Sequence, residues 1–211
     1  MHKWQMKYLH YSLALLLLVG CASEYKSRKP VTPDQACIEK IRPTGVNTSW
    51  YTTYIDVIGR HISGLLLIKQ MPDSSRRVVF TNEAGVTFLD FQFNTDGSFQ
   101  VKQVIKQLNK KAVIQTLRKD FELMLGIPFR QSITEAWLQD GEVYYGVPQK
   151  KETAYFITTP DCASLRRMEL GSSRKKKVTV ALWGNDLSAP DSIQVKHYTF
   201  NMVIGLKKIE R

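Results

Sequence analysis

The chain has 211 residues, with 30 Lys and Arg against 19 Asp and Glu, a formal net charge of +11 and 43% apolar residues. That length and apolar content suit one domain with a sizeable core. The excess of positive charge favours anionic partners (lipid headgroups, nucleic acid or acidic protein surfaces) or serves ordinary solubility.

Lys3 and Lys7 precede an apolar run over Leu13–Val19, and Leu18-Val19-Gly20-Cys21 closes it with small residues and a thiol. A membrane-spanning helix needs about 20 apolar residues. This run is shorter and reads as a secretory signal over residues 1–20. The thiol at the first mature position marks a bacterial lipoprotein signal, with Cys21 taking up diacylglycerol and fatty acyl groups such as palmitate. A plain secretory signal with a chance cysteine is the alternative. Removing 20 of 211 residues leaves 191 and takes away two lysines, so the net charge of +11 becomes +9. Nucleic acid is then set aside for an exported chain, and anionic lipid becomes the favoured partner. Each buried acyl methylene contributes about 0.8 kcal/mol, so two or three chains anchor durably. Ala22 and Ser23 carry no Asp at the second mature position, which predicts the periplasmic face of the outer membrane. Cys37 and Cys162 remain as an even pair in an oxidising compartment, either bridged or as two buried thiols.

Residues 21–36 read as lipid anchor and polar tether, with Lys26, Arg28, Lys29, Pro30 and Pro33, and 37–211 as the folded domain. Period-two patterning and β-branched or aromatic content predict strands over 50–58, 61–70, 76–81, 86–94 and 99–105, parted by the turn clusters 72–75, 82–85 and Asp96-Gly97. Val113, Ile114, Leu117, Phe121, Met124 and Leu125 then recur at helical spacing, with Asn109 as the expected cap and Gly126 and Pro128 as the stop. A second short helix is predicted over Ser132–Leu138, carrying Trp137. Strands return over 142–147, 153–159, 165–170, 177–183, 193–198 and 200–209. The predicted architecture is a β-rich α+β fold, a curved, unclosed antiparallel barrel of ten or eleven strands covered by helices.

The mature chain holds only His61 and His197, each alone in a strand pattern, so no metal-ligand spacing appears. No serine sits in a nucleophile elbow and no Gly-rich phosphate loop follows a strand. No catalytic residue, metal or cofactor is predicted, and the chain does not read as an enzyme. What it offers is apolar surplus. Leu65–Ile68, Val78–Phe80 and Val178–Trp183 are apolar on both faces, whereas a sheet with one wet face should alternate. Either a sandwich with a solid core results, or a cavity for acyl chains between sheet and helix, lined by Leu65, Leu67, Phe80, Phe91, Leu117 and Phe121. Arg174-Lys175-Lys176-Lys177 forms a basic hairpin tip, either merely solvated or touching anionic headgroups at about 1 kcal/mol per charge.

Beside the lipobox, three stretches resemble the outer-membrane lipoprotein-insertion receptors called LolB. They are the strand–turn–strand Arg76–Leu89, the helix ending Leu125-Gly126-Ile127-Pro128 with Trp137 beyond it, and Ala189-Pro190-Asp191-Ser192-Ile193 before two last strands. The resemblance implies an unclosed barrel with helices over its mouth and an apolar cavity. It further implies a monomeric chaperone of protein transport that takes acylated lipoprotein cargo from a soluble, LolA-like periplasmic carrier and releases it into outer-membrane lipid without nucleotide or cofactor. The family's membrane-facing turn corresponds to Asn82, Glu83, Ala84 and Gly85. The family exposes a leucine where this chain has Ala84, which buries little apolar area. An envelope lipoprotein binding another amphiphile, or a structural lipoprotein of an envelope complex, remains the alternative reading.

Overall fold

A computed structural model of the chain describes residues 23–25 and 27–209. The signal segment, Cys21 and Lys26 lie outside the described residues. Thirteen strands form one sheet in which every neighbouring pair is antiparallel. In chain order these are β1 Lys29–Val31, β2 Ser49–Val57, β3 Arg60–Gln70, β4 Arg76–Thr81, β5 Thr87–Phe93, β6 Phe99–Val104, β7 Glu135–Gln139, β8 Glu142–Gln149, β9 Glu152–Thr158, β10 Leu165–Gly171, β11 Lys176–Trp183, β12 Ser192–His197 and β13 Met202–Ile209. Helix α1 spans Gln35–Ile41, α2 spans Lys111–Met124, and a 3₁₀ turn follows at Ile127–Arg130.

The order β1-β7-β8-β9-β10-β11-β12-β13-β2-β3-β4-β5-β6 joins two meanders through the β13–β2 pair and leaves β1 and β6 as unpaired edges. The barrel is therefore curled but unclosed. The strand count exceeds the expected ten or eleven for two reasons. Lys29–Val31, inside the stretch read as a tether, pairs with Ala136–Leu138. The second predicted helix is also absent: Glu135–Gln139, with Trp137, is strand β7. Helix-forming Glu, Ala, Leu and Gln give that segment a helical look, but pairing with β8 on one side and β1 on the other outweighs such weak local preferences.

Alternation along the strands puts one parity on the concave side. In β2 and β3, Tyr51 and Ile55 lie opposite Leu66 and Ile62; Phe80, Leu89, Val78 and Phe91 continue the same face across β4 and β5. The concavity is covered by α1, α2 and the 3₁₀ turn, and one cluster holds Ile38, Phe80, Phe91, Phe121, Phe129, Phe156 and Val180 together. Asp34 caps α1, accepting from Cys37 N at 3.1 Å, and a Cys37–Cys162 disulfide ties α1 to the β9–β10 turn.

The N-terminal segment packs on the outer face. Tyr25 is buried with Tyr144, Tyr155 and Ile157, and its ring occupies the space where a Cβ on Gly171 would sit. The Arg28 guanidinium lies 4.3 Å from the Tyr25 ring centroid and 4.9 Å from those of Trp137 and Tyr155.

Candidate functional site

The candidate site is the concave face and the helix lying in it. Helix α2 is amphipathic: Leu117, Phe121, Leu123 and Met124 are buried, while Lys111, Gln115 and Lys119 are exposed. Its two ends are held differently. At the C-terminal end, the backbone turns through Gly126, at φ 66°, where a Cβ would stand 2.4 Å from Pro43 O. There the buried Arg76 donates to Leu125 O at 3.0 Å and to Thr44 O at 2.7 Å. Burial lowers the Arg76 pKa, with Arg130 adding to the effect. The N-terminal end has no such fixing. Lys110, not Asn109, is the capping position; no side chain accepts from the first turn, and no acidic residue offsets the helix dipole.

One polar contact ties α2 to the sheet inside the apolar face. Asp120 and His197 are buried, with Asp120 Oδ2 2.9 Å from His197 Nε2. Asp120 Oδ1 is buried without a hydrogen-bond partner. Burial pushes the Asp120 carboxyl above the usual carboxylate range, against the lowering influence of His197. The His197 ring in turn packs on Phe200, with centroids 4.6 Å apart. The sequence gives a usable signal for this pair, because Asp120 interrupts the apolar stripe of Leu117, Phe121 and Met124.

Of the expected cavity lining, Phe80, Phe91, Leu117 and Phe121 do come together. Their exposures are 0, 0, 3 and 1%, and the Phe91 and Phe121 rings meet edge to face at 6.2 Å. A side chain lining a hollow large enough for water would retain accessible surface, so these four fill the expected cavity instead of bounding it. Leu65 and Leu67 lie on the opposite, outer parity, beside Thr52 and Trp50. Leu65 lines an outer-face groove of about 570 Å³ with Tyr54, Trp183, Gln194 and Lys207. A crevice of about 70 Å³ lies beside α2 at Lys119, Leu123, Pro128 and Leu170.

The 82–85 turn is an exposed hairpin tip fixed by Asn82, whose Oδ1 accepts from Val86 N at 2.7 Å. Ala84 is exposed at this tip, and the large apolar side chain exposed beside it is Val86. Among the described residues no group of three or more His, Cys, Asp or Glu gathers as a metal site.

No family model and no curated protein matches the sequence. Among solved structures, the chain is similar to a LolA superfamily protein from Nitrosomonas europaea, with TM-score 0.49, 10% identity, and coverage of 85% of this chain and 92% of that one. It is also similar to a DUF1329 family protein from Desulfovibrio piger (TM-score 0.44, 11% identity, covering 85% and 92%). A third similarity is to a Vibrio parahaemolyticus domain described as an outer membrane lipoprotein-sorting protein (TM-score 0.46, 8% identity, covering 83% and 88%).

Proposed function

We propose that this chain is an outer-membrane lipoprotein, anchored through Cys21, that accepts the acyl chains of lipoprotein cargo against its concave face and releases them into the bilayer. The observation that carries this reading is the unequal fixing of α2. A long apolar face is covered not by a second sheet but by short helices, of which the longest, α2, is pinned at Gly126 and Arg76 and uncapped at Lys110. Swinging that helix outward uncovers Phe80 and Phe91 and supplies Phe121 and Leu117 as the facing wall. The closed core is then the unloaded state, and its own side chains take the place of cargo. Transfer needs no nucleotide: acyl chains leave a carrier for this face and leave this face for lipid, each step burying more apolar area. The mature chain with Cys21→Ser should take an acylated peptide from a soluble carrier, and the peptide should compete with a fluorescent fatty acid. A folded sample that binds neither rejects the mechanism.

The tight burial of Phe80, Phe91, Leu117 and Phe121 favours a second reading, a structural envelope lipoprotein with a solid core. In that case the fluorescent fatty acid binds no better than to an unrelated β protein of similar charge.

A further inference from the structure

The two ends of the strands differ in chemistry. Because all neighbours are antiparallel, one end carries the turns 58–59, 82–86, 150–151, 172–175 and 198–201, and the other carries 71–75, 94–98, 140–141, 159–164 and 184–191. Every turn of the second group contains an aspartate: Asp73, Asp96, Asp140, Asp161 and Asp186. Four of these fold the turn by accepting from the backbone N–H two residues on. The first end is basic, with exposed Arg60, Lys150, Lys151, Arg174 and Lys175. It also displays four exposed large apolar or aromatic side chains, Ile58, Val86, Tyr198 and Phe200.

Two further observations give this end a partner. The chain reaches it directly from the anchor: Ser23 Oγ donates to Arg174 O at 3.3 Å, Glu24 N donates to Arg174 O at 3.0 Å, and Lys176 N donates to Glu24 Oε2. Ser23 follows Cys21 by two positions in the sequence, a reach of at most roughly 7 Å of extended chain. The second observation is Ile58, which is 75% exposed and holds φ at 46°, with Gly59 at 74°. That two-residue turn favours Asn-Gly, and a β-branched residue there is sterically strained. Folding alone gains nothing from an isoleucine in this position. Strain at an exposed apolar tip points to a contact outside the chain.

From this arrangement we infer that the basic rim, centred on Ile58, Phe200 and Arg174 and flanked by the 82–86 turn, is a membrane-docking edge for anionic lipid. The apolar tips enter the headgroup layer, and the Lys and Arg side chains face phosphates. The aspartate turns at the far end point away from the surface, so the charge asymmetry orients the molecule with its strands across the interface. Glu83 and Glu24 are exposed acidic residues on this rim, Glu24 accepting from Lys176 N, whereas Asp56 is engaged by His61 and Glu152 by Lys119 and Lys177. Tyr198 is held by Lys176 and Lys196, whose Nζ atoms lie 4.7 and 5.4 Å from its ring centroid. The inference rests on the proposed function only for the envelope location, not for acyl binding.

Docking is tested without the anchor, on the mature chain carrying Cys21→Ser. It is mixed with phosphatidylcholine vesicles and with the same vesicles containing phosphatidylglycerol, and co-sedimentation is measured. Binding should require the anionic lipid and weaken with salt. Lys150→Gln, Arg174→Gln and Lys175→Gln should each lower the partition coefficient about fivefold. Ile58→Asn should lower it about tenfold while raising the melting temperature, because the turn strain is relieved. A purely structural isoleucine cannot give that opposite pair of signs. Trp183→Ser, on the outer face away from the rim, should leave partition unchanged. Equal binding to both vesicle types, no binding to either, or losses from Trp183→Ser matching those from the rim variants would overturn the docking edge. Fatty-acid binding measured on the same samples reports separately on the acyl-binding reading.

Discussion

Asp120→Ala cuts the buried polar tie between α2 and the sheet. Asp120 and His197 have side-chain exposures of 1% and 4%. Breaking a buried ion pair typically costs about 3–5 kcal/mol when the survivor must stay charged. In Asp120→Ala the buried His197 ring is left without its hydrogen-bond partner, at a cost of about 1–3 kcal/mol. If the loss falls on the closed arrangement of α2 alone, the uncovered state gains roughly 5- to 150-fold in population, and the apparent affinity for a fluorescent fatty acid rises by up to that factor. The assay pairs probe titration with thermal unfolding. Asp120→Asn separates charge from contact. Burial raises the folded pKa of Asp120 above its unfolded value, so its contribution is fully present below the unfolded pKa and is lost as pH rises through the folded pKa. Asn carries no such loss, so the stability of Asp120→Asn relative to wild type should improve from pH 4 to pH 7. A lowered melting temperature with unchanged probe affinity in Asp120→Ala would refute the tie as a restraint on opening.

Three other perturbations check the remaining supports. Arg76→Met should destabilise by about 1.5–3 kcal/mol, since Leu125 O and Thr44 O each lose a charged donor, and it should raise hydrogen exchange in 125–130 more than in β2. Replacing Cys37 and Cys162 by Ala opens a loop of sequence separation 125 and should cost up to about 4–5 kcal/mol by loop-closure entropy, read by denaturant titration. Tyr25→Phe leaves Glu169 Oε2 without the phenol that donates at 3.1 Å. It should cost about 1–3 kcal/mol and increase protease cutting in residues 27–34, well away from the core.

Much of the fold is legible because alternation is a strong signal where one face is buried. Tyr51, Ile55, Leu66, Ile68, Val78, Phe80, Leu89 and Phe91 mark a single parity across four strands, and the apolar spacing of α2 stands out further along the chain. The missed elements are those whose formation depends on distant partners. Strand β1 has three residues and exists only through Trp137 and its neighbours. Helix α1, at seven residues, is too short to be recognised by periodicity and is held by Asp34 and the disulfide. The site was half legible. Phe80, Phe91, Leu117 and Phe121 converge, but composition cannot tell a lined hollow from a filled one. Leu65 and Leu67 fail because an apolar run on both faces does not say which residues face inward; the register opposite Tyr51 and Thr53 decides that.

The docking edge and the restraint on α2 meet at one place. Phe200 stands on the basic rim, and its ring packs on His197, the partner of Asp120. If lipid contact at Phe200 shifts that ring, it biases the tie holding α2, and linkage then requires that anionic vesicles change probe affinity by the same factor as probe changes vesicle affinity. Phe200→Ser separates the two ends of this chain of contacts. It keeps Arg174, Lys175 and Lys150, and so most of the electrostatic attraction, but removes the ring that touches His197. Wild-type chain carrying Cys21→Ser should bind a fatty-acid probe more tightly when phosphatidylglycerol vesicles are present, after correction for probe dissolved in the lipid. The Phe200→Ser variant should still sediment with the vesicles and show no gain. Identical gains in both chains would mean that docking and opening are independent, and that the rim only holds the molecule at the surface.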